Sequence, residues 1–524
     1  MSLSVIQAGT NLQLVNDDGT VSAPLTLPTG VTLRDDLTPR FVVFGRYVVM
    51  VNTPSQPLTI DAAGVVRLLS PAAPRLAPIL TAAAGGTLTG TYAGVRYTFI
   101  TSDAFGNLIS ESGYSPPSNS QAVAAQFLVV SNLDLSPDQI TGRRIYRPTT
   151  NGAVLFQWVD LDGNILTQTQ DDLADAGLSL VASPILGTPP DLTLIAEFRD
   201  RLWGVGRLAI DDLKYTEPGL MYAWPEDNSF PIPSVGSDSL GIRALMPRRE
   251  SLGIGRQNQI IALVGSDDTN FQIIKLSQNC GVTSQESVAV YRDTAFFLWE
   301  DGVYTWNDEG INCISDGKVR SWFNTDDTFN REMFQFAFGH VDPVRLKYRL
   351  FLWEAGSTTD INWVEYDLID KTWWGPHKTS AFNPTSVFTL LDSNLIPRPT
   401  IGGDDSNLYR EQDTRTDGVS SPIIMDGITK RYSMEEPDID KYWGQLSVIG
   451  KAQTAGSTQF TIDVGELNAD NNTDPVWDMT QSRERLSRVG SGKHVELEFT
   501  NNEIAQDVQL YGFEISPVNI LGRR

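Results

Sequence analysis

The stretch from Arg292 to Gly310, RDTAFFLWEDGVYTWNDEG, constrains the fold more than any other. A run from Thr294 to Trp299 meets Glu300-Asp301-Gly302, and a second run, Val303 to Trp306, closes on Asn307-Asp308-Glu309-Gly310. Asp-Gly between two β-prone runs predicts a tight hairpin, with the glycine supplying the positive φ of a primed turn. Phe296, Phe297, Leu298 and Trp299 leave neither face of the first strand polar. Such a strand must be covered on both sides, as when small sheets stack face to face. Looser versions of this hairpin recur along the chain.

Those recurrences set the organisation. Residues 1–72 hold LQLVNDDGTVSAPLTL and FVVFGRYVVMVNTPSQPLTIDAAGVVRLL, read as the first propeller blades, with strands at Tyr47 to Val51 and Leu58 to Ile60. Composition then shifts: SPAAPRLAPILTAAAGG, ending at Gly86, and Ser183 to Pro190 have linker character. Between them, residues 73–190 show short strands at 8–12-residue spacing with turn signals, the pattern of a small β-sandwich. From 191 to 420 the hairpin theme returns in FRDRLWGVG, QIIALV with FQIIKL, YRLFLW with WVEYD and TWWG, and TIGGDDSNLYR. The units lie roughly 35 to 57 residues apart, near the period of propeller blades. The expected fold is all-β: a divergent propeller of six or seven blades carrying an inserted Ig/FnIII-like sandwich, the alternative being two stacked sheets. In residues 421–524, Phe460, Ile462 and Val464 alternate with polar residues, as do Val495, Leu497 and Phe499, which predicts a C-terminal β-sandwich or propeller-closing region. The closing NILGRR reads as a flexible or partner-bound tail.

Composition narrows the function. The 524-residue chain carries a formal charge of −24, the wrong sign for a tight phosphate-backbone binder. An acidic wall can instead let a polyanion slide past; surface charge for solubility is the plainer reading. With only Cys280 and Cys313 there is no disulfide framework, and the N-terminus lacks the basic and apolar regions of a signal peptide, so synthesis in a reducing cytoplasm is expected.

No catalytic, cofactor-binding or metal site emerges. His340, His377 and His494 lack ligand spacing, with His494 read as a surface residue, and neither cysteine sits beside a base in the sequence. Gly204-Val205-Gly206 and Gly253-Ile254-Gly255 lack a dinucleotide fingerprint. Ser315 to Trp322 resembles the Asp-box turns of sialidase propellers but misses their spacing. Asp160 to Asn164 with Asp171-Asp172 suits Ca²⁺ no better than it suits ordinary turns. The tryptophans from Trp353 to Trp374 could stack sugars, but blade core is the better reading. Arg199, Arg201, Arg248, Arg249 and Arg256 form a loose basic cluster, read as pairing with carboxylates across a subunit contact rather than facing phosphate.

The string from Ile140 to Leu178, ITGRRIYRPTTNGAVLFQWVDLDGNILTQTQDDLADAGL, resembles the fibronectin type III or immunoglobulin-like modules of tailed-phage virion proteins, as does Tyr92 to Ser120 before it. FRDRLWGVG, then Tyr-Thr-Glu-Pro-Gly, then Asn279-Cys280-Gly281-Val282 before DTAFFLWEDGVY, is similar in layout to the β-propeller tail nozzle or hub proteins of short-tailed phages. The resemblance implies a non-enzymatic homohexameric ring in the virion tail, assembled in the host cytoplasm. Its implied partners are the head-to-tail adaptor proteins, tail fibres and genomic DNA passing without sequence-specific binding, with the host surface a further contact. It implies no cofactor. The carboxylates of a closed wheel would then face a passage for nucleic acid, preventing adhesion within a Debye length of ~8–10 Å. The competing readings are a receptor- or glycan-binding tail adhesin and, less favoured, a propeller-type polysaccharide hydrolase.

Overall fold

The computed structural model describes the chain apart from residues 1–2, 53–55, 104, 136–138, 179, 182–185, 233–240, 380–381, 393, 412–415, 418–420, 423–424, 435–436, 466–474, 503–507 and 523–524. Two compact units result, Met1–Arg410 and Glu411–Arg524. Part of the linker expected at Ser183 to Pro190 lies outside the described residues.

The first unit is a β-propeller with an inserted sandwich. Five four-stranded antiparallel meanders span 40–68, 192–231, 244–277, 289–313 and 338–377, and a three-stranded one spans 384–410. We number these blades 1 to 6. Their first strands adjoin in turn, blade 1 to blade 2 and so on to blade 6. Arg410, ending blade 6, donates to the Asp17 carbonyl at 2.6 Å. Asp17 sits in the turn that follows the hairpin Leu3–Ala8/Asn11–Asn16, whose Leu12 packs with Met50, Leu58 and Ile60 of blade 1.

Blade faces are dry because adjacent sheets bury them against one another. Trp203 is fully buried in blade 2, stacks on Tyr215 with centroids 4.6 Å apart, and donates its indole N–H to the Phe198 carbonyl at 2.9 Å. Burying one such side chain contributes about 1.5–3 kcal/mol. The organising hairpin forms in blade 4 as Thr294–Trp299 paired with Gly302–Asn307. Its turn differs from the expected one. Glu300 and Asp301 occupy it with negative φ, and Gly302 opens the second strand outside the left-handed region. Glycine is needed there for space: a Cβ would lie 2.3 Å from Ser315 Oγ. Turns with two positive φ values fall instead at Arg199-Asp200 and Arg292-Asp293.

A second turn type recurs. In Asp61 to Val65, Asp103 to Asn107 and Asp392 to Ile396, the aspartate Oδ1 accepts from the backbone N–H two and four residues on, at 2.8–3.0 Å. The fourth residue takes positive φ: Gly64, Gly106 and Leu395.

The inserted module leaves blade 1 and returns at blade 2. A three-stranded sheet, Thr169–Asp171, Gln121–Ser131 and Ile79–Tyr92, faces a four-stranded one, Leu155–Asp162, Gly142–Pro148, Arg96–Ser102 and Leu108–Glu111. Tyr97, Phe99, Leu128, Val130 and Ile145 fill the space between. The linker-like reading as far as Gly86 is corrected here, because Ile79–Tyr92 is a strand of 14 residues. Its alanines and glycines are small because the paired strand comes close: a Cβ on Gly86 would lie 2.2 Å from the Phe127 nitrogen. Leu108, Ile109 and Leu186 pack against Phe44, Leu202, Tyr222 and Trp224 of the propeller, so the module is docked by an apolar interface.

The second unit is also a sandwich. Its sheets are Met425–Ile428, Glu496–Asn501, Ser457–Asp463, Val476–Asp478 and, facing them, Arg483–Gly492, Asp440–Gly450, Leu510–Gly522. Phe460 pairs with Phe499 and Ile462 with Leu497, on the dry face that the alternation predicts. The tail expected to be flexible or partner-bound is strand as far as Gly522, against the flexible reading, with Asn519 opposite Tyr442 and Ile520 opposite Lys441. Residues 523–524 of that tail lie outside the described residues.

Candidate functional site

Where the blades converge, the segment Ser284 to Ser287 enters from the connection between blades 3 and 4. Gln285 Oε1 accepts from the Leu245 N–H of blade 3 at 2.6 Å, and its amide donates back to the Leu245 carbonyl at 3.2 Å. The Glu286 carbonyl accepts from the Gly339 N–H of blade 5 at 2.8 Å. The Glu286 carboxylate meets Arg40 of blade 1, Nε to Oε1, at 2.7 Å, while Arg40 Nη1 donates to the Thr193 carbonyl of blade 2. One four-residue segment thus ties together strands from opposite parts of the wheel. Beside it lies a recess of about 540 Å³ lined by Phe41, Val43, Ile195, Glu197, Pro247 and Arg249, with Gln285.

Four of the five arginine side chains of the basic cluster are engaged within the chain, joining one blade to the next. Arg199 pairs with Glu250 at 2.6 Å, Arg201 with Asp268 at 2.8 Å and Arg256 with Asp211 at 2.6 Å, all between blades 2 and 3. Arg248 of blade 3 reaches Asp293 and Asp308 of blade 4 at 2.8 and 2.6 Å and stacks over Trp306. The Arg249 side chain is exposed, 3.6 Å from Glu250 of its own blade, while its backbone N–H donates to Asp293 of blade 4 at 2.8 Å. Neighbouring blades thus present a basic loop to an acidic one, and only the fold could pair them.

Other sequence candidates are dispersed. His340 lies half-buried with Nε2 2.8 Å from Thr389 Oγ1, and burial pushes its pKa down to about 4. Burial also lowers His377. His494, expected on the surface, is half-buried, its ring against Gly465 and its Nε2 3.9 Å from Asp463. Cys280 is buried, which raises its thiol pKa, and Cys313 Sγ lies 3.3 Å from Ser315 Oγ. The Ser315 to Trp322 stretch is a turn running into the short helix Ser321–Asn324.

Three of the four aspartates considered for Ca²⁺ are committed elsewhere. Asp160 accepts from Arg144 at 2.8 Å, Asp171 from Arg147 at 2.5 Å, and Asp172 from Thr87. Among the described residues no group of three or more His, Cys, Asp or Glu is placed to hold a metal ion. Of the tryptophans from 353 to 374, three are packed: Trp353 against Phe336, Trp363 against Phe351, and Trp373 with its indole N–H on the Ile314 carbonyl. Trp374 is exposed.

A buried polar cluster that sequence reading missed lies where the inserted sandwich docks. Glu111 accepts from Tyr146 O–H at 2.5 Å, Thr98 O–H at 2.7 Å and Arg144 at 3.2 Å. Burial raises its pKa against the lowering influence of these donors. The isolated glutamate in LISES gave no signal, because its partners come from strands distant in sequence.

Fold and site together define an all-β propeller protein with an inserted sandwich, its first blade tied to the connection entering the fourth by an ion pair. No family model matches the chain, and no curated protein matches it. Among solved structures, the extracellular domain of a putative one-component system from B. thetaiotaomicron is 7% identical, with 97% of this chain and 79% of that chain covered and a TM-score of 0.26. The extracellular domain of a putative hybrid two-component system from the same organism is 8% identical, covering 100% of this chain and 79% of that one at a TM-score of 0.27. The Aleuria aurantia lectin, a six-bladed β-propeller, is 9% identical over 52% of this chain and 90% of its own, at a TM-score of 0.23. Among the described residues no helix is long and apolar enough to cross a membrane.

Proposed function

We propose that this chain is a structural virion protein of a bacteriophage tail, a building block of an oligomeric nozzle or hub ring that retains the genome and conducts it during ejection. The observation that carries this reading is the order of modules. A first blade, an inserted seven-stranded sandwich, the remaining blades and a separate C-terminal sandwich follow one another as the sequence resemblance implies. In such a ring DNA passes between copies arranged around a shared channel. A chain charge of −24 favours passage without adhesion wherever its carboxylates line that channel.

Mass measurement of the purified or particle-extracted assembly tests this, with imaging of particles as the second arm. The expected result is a closed ring near six times the 57.7 kDa chain mass, located below the portal. A chain absent from particles ends the proposal.

A further inference from the structure

Of the twelve tryptophans, Trp374 alone is exposed, at 55%. It stands on the outermost strand of blade 5, Trp373–His377. Register fixes what shares its face. Trp374 is opposite Glu365, Glu365 opposite Arg349, and Arg349 opposite His340, so the four make one row across the sheet. At the inner end of the row His340 meets Thr389 of blade 6, so this face is turned to blade 6. Blade 6 has three strands among the described residues and no fourth to cover the outer end, where the row finishes on the indole. The polar groups beside the indole are held in place. Arg349 Nε lies 2.8 Å from Glu365 Oε1, and Lys347 Nζ donates to Oε2 at 2.7 Å. The same ammonium lies 6.0 Å from the centroid of the Trp374 ring.

We propose that this corner of blade 5 binds a neutral sugar ring, stacked on the Trp374 indole with its hydroxyls on Lys347 and Glu365. The chemistry of the three side chains selects that ligand. An exposed indole takes a flat apolar face, which the C–H side of a pyranose provides. An ammonium has only donors and a carboxylate only acceptors, and a hydroxyl, which both donates and accepts, answers either. The Lys347 side chain is 25% exposed and carries N–H groups beyond the one given to Glu365, whose side chain is 10% exposed. Charge argues against an ionic ligand. The cations Lys347 and Arg349 are matched by Glu365 and by Asp367, which stands opposite Lys347, so either sign of ligand meets its like. The site draws on one blade only, so it stands or falls apart from the hub reading.

Isothermal titration of the purified full chain with the methyl glycosides of glucose, galactose, mannose and N-acetylglucosamine tests this. At least one should bind with a Kd of about 1 mM, the scale of a single stacked ring. Trp374→Ala should weaken that binding about tenfold or more, and Trp374→Phe should keep part of it. Lys347→Met, which keeps the stem and removes the donors, should weaken it about threefold to tenfold. Trp374 is exposed, so its variants should keep the wild-type circular dichroism. Methyl glucuronide, the anionic counterpart of the glucoside, should bind no more tightly than the glucoside does. Absence of binding across all the neutral glycosides overturns the proposal, as does binding indifferent to Trp374→Ala or tighter for the glucuronide. A change of assembly mass in Trp374→Ala would assign the indole to a contact between copies and overturn it too. A sugar bound as expected supports the site even where no ring is found, and a ring that binds no sugar leaves the hub reading standing.

Discussion

Arg40 and Glu286, separated by 246 residues, lie 2.7 Å apart, Nε to Oε1, and bind the first blade to the connection entering the fourth. Their side chains are 25% and 21% exposed. Glu286→Ala leaves an arginine partly buried without its carboxylate, and a loss of about 1–3 kcal/mol is expected in urea unfolding. Arg34→Ala, which removes the solvent-screened pair with Asp36, should leave stability nearly unchanged. Equal losses would mean that the axial pair adds nothing beyond a surface contact.

Asp171 is fully buried against Arg147, and burial pushes its pKa up to about 6 despite that partner. A folded pKa above the unfolded value, about 3.9, means that the native state holds the proton more tightly. The stability it lends is complete below about pH 4 and is lost as pH rises through about 6. Asp103 works in the opposite direction. Its hydrogen bond from the Asn107 side chain leads the influences that hold it down to about 2, so its contribution is present above about pH 4 and is lost on further acidification. Asp171→Asn should therefore flatten the stability curve between pH 4 and 6 and leave the acid limb unchanged. A slope that persists in the variant contradicts this assignment.

Leu395 holds φ +61 at the turn position that glycine fills in Gly64 and Gly106, and its side chain is 69% exposed. A leucine there carries left-handed strain with little packing in return. Leu395→Gly is expected to raise stability by about 1 kcal/mol, read as a shift in the denaturant midpoint at constant slope. A destabilised variant would show that the leucine packs more than its exposure suggests.

Gly302→Ala should act in the reverse sense. The added methyl meets Ser315 Oγ, which is buried and accepts from the Val303 N–H at 3.1 Å. Displacing that hydroxyl should cost about 1–3 kcal/mol. Thermal unfolding of Gly302→Ala and of Gly302→Ala with Ser315→Ala tests this: the second substitution should recover part of the loss.

Much of the fold was legible locally. Tyr47–Val51 and Leu58–Ile60 form as strands where their β-branched runs predict, and the alternation at Phe460 and at Leu497 marks the buried face correctly. Ile79–Tyr92 was not legible, since alanine and glycine are the residues of linkers as well as of strands in close approach. Nor was the axial segment. Ser284-Gln285-Glu286-Ser287 reads as an ordinary polar loop, and only its neighbours give it a role.

The sequence by itself determined a sheet-built chain, divided into wheel and sandwiches, because side-chain alternation and turn residues act over two to five positions. The tertiary structure alone decided which charges meet. Arg248 found Asp293 and Asp308, Arg256 found Asp211, and Arg40 found Glu286. Charge attraction has no sequence period, so its partners are chosen by where folded strands place them.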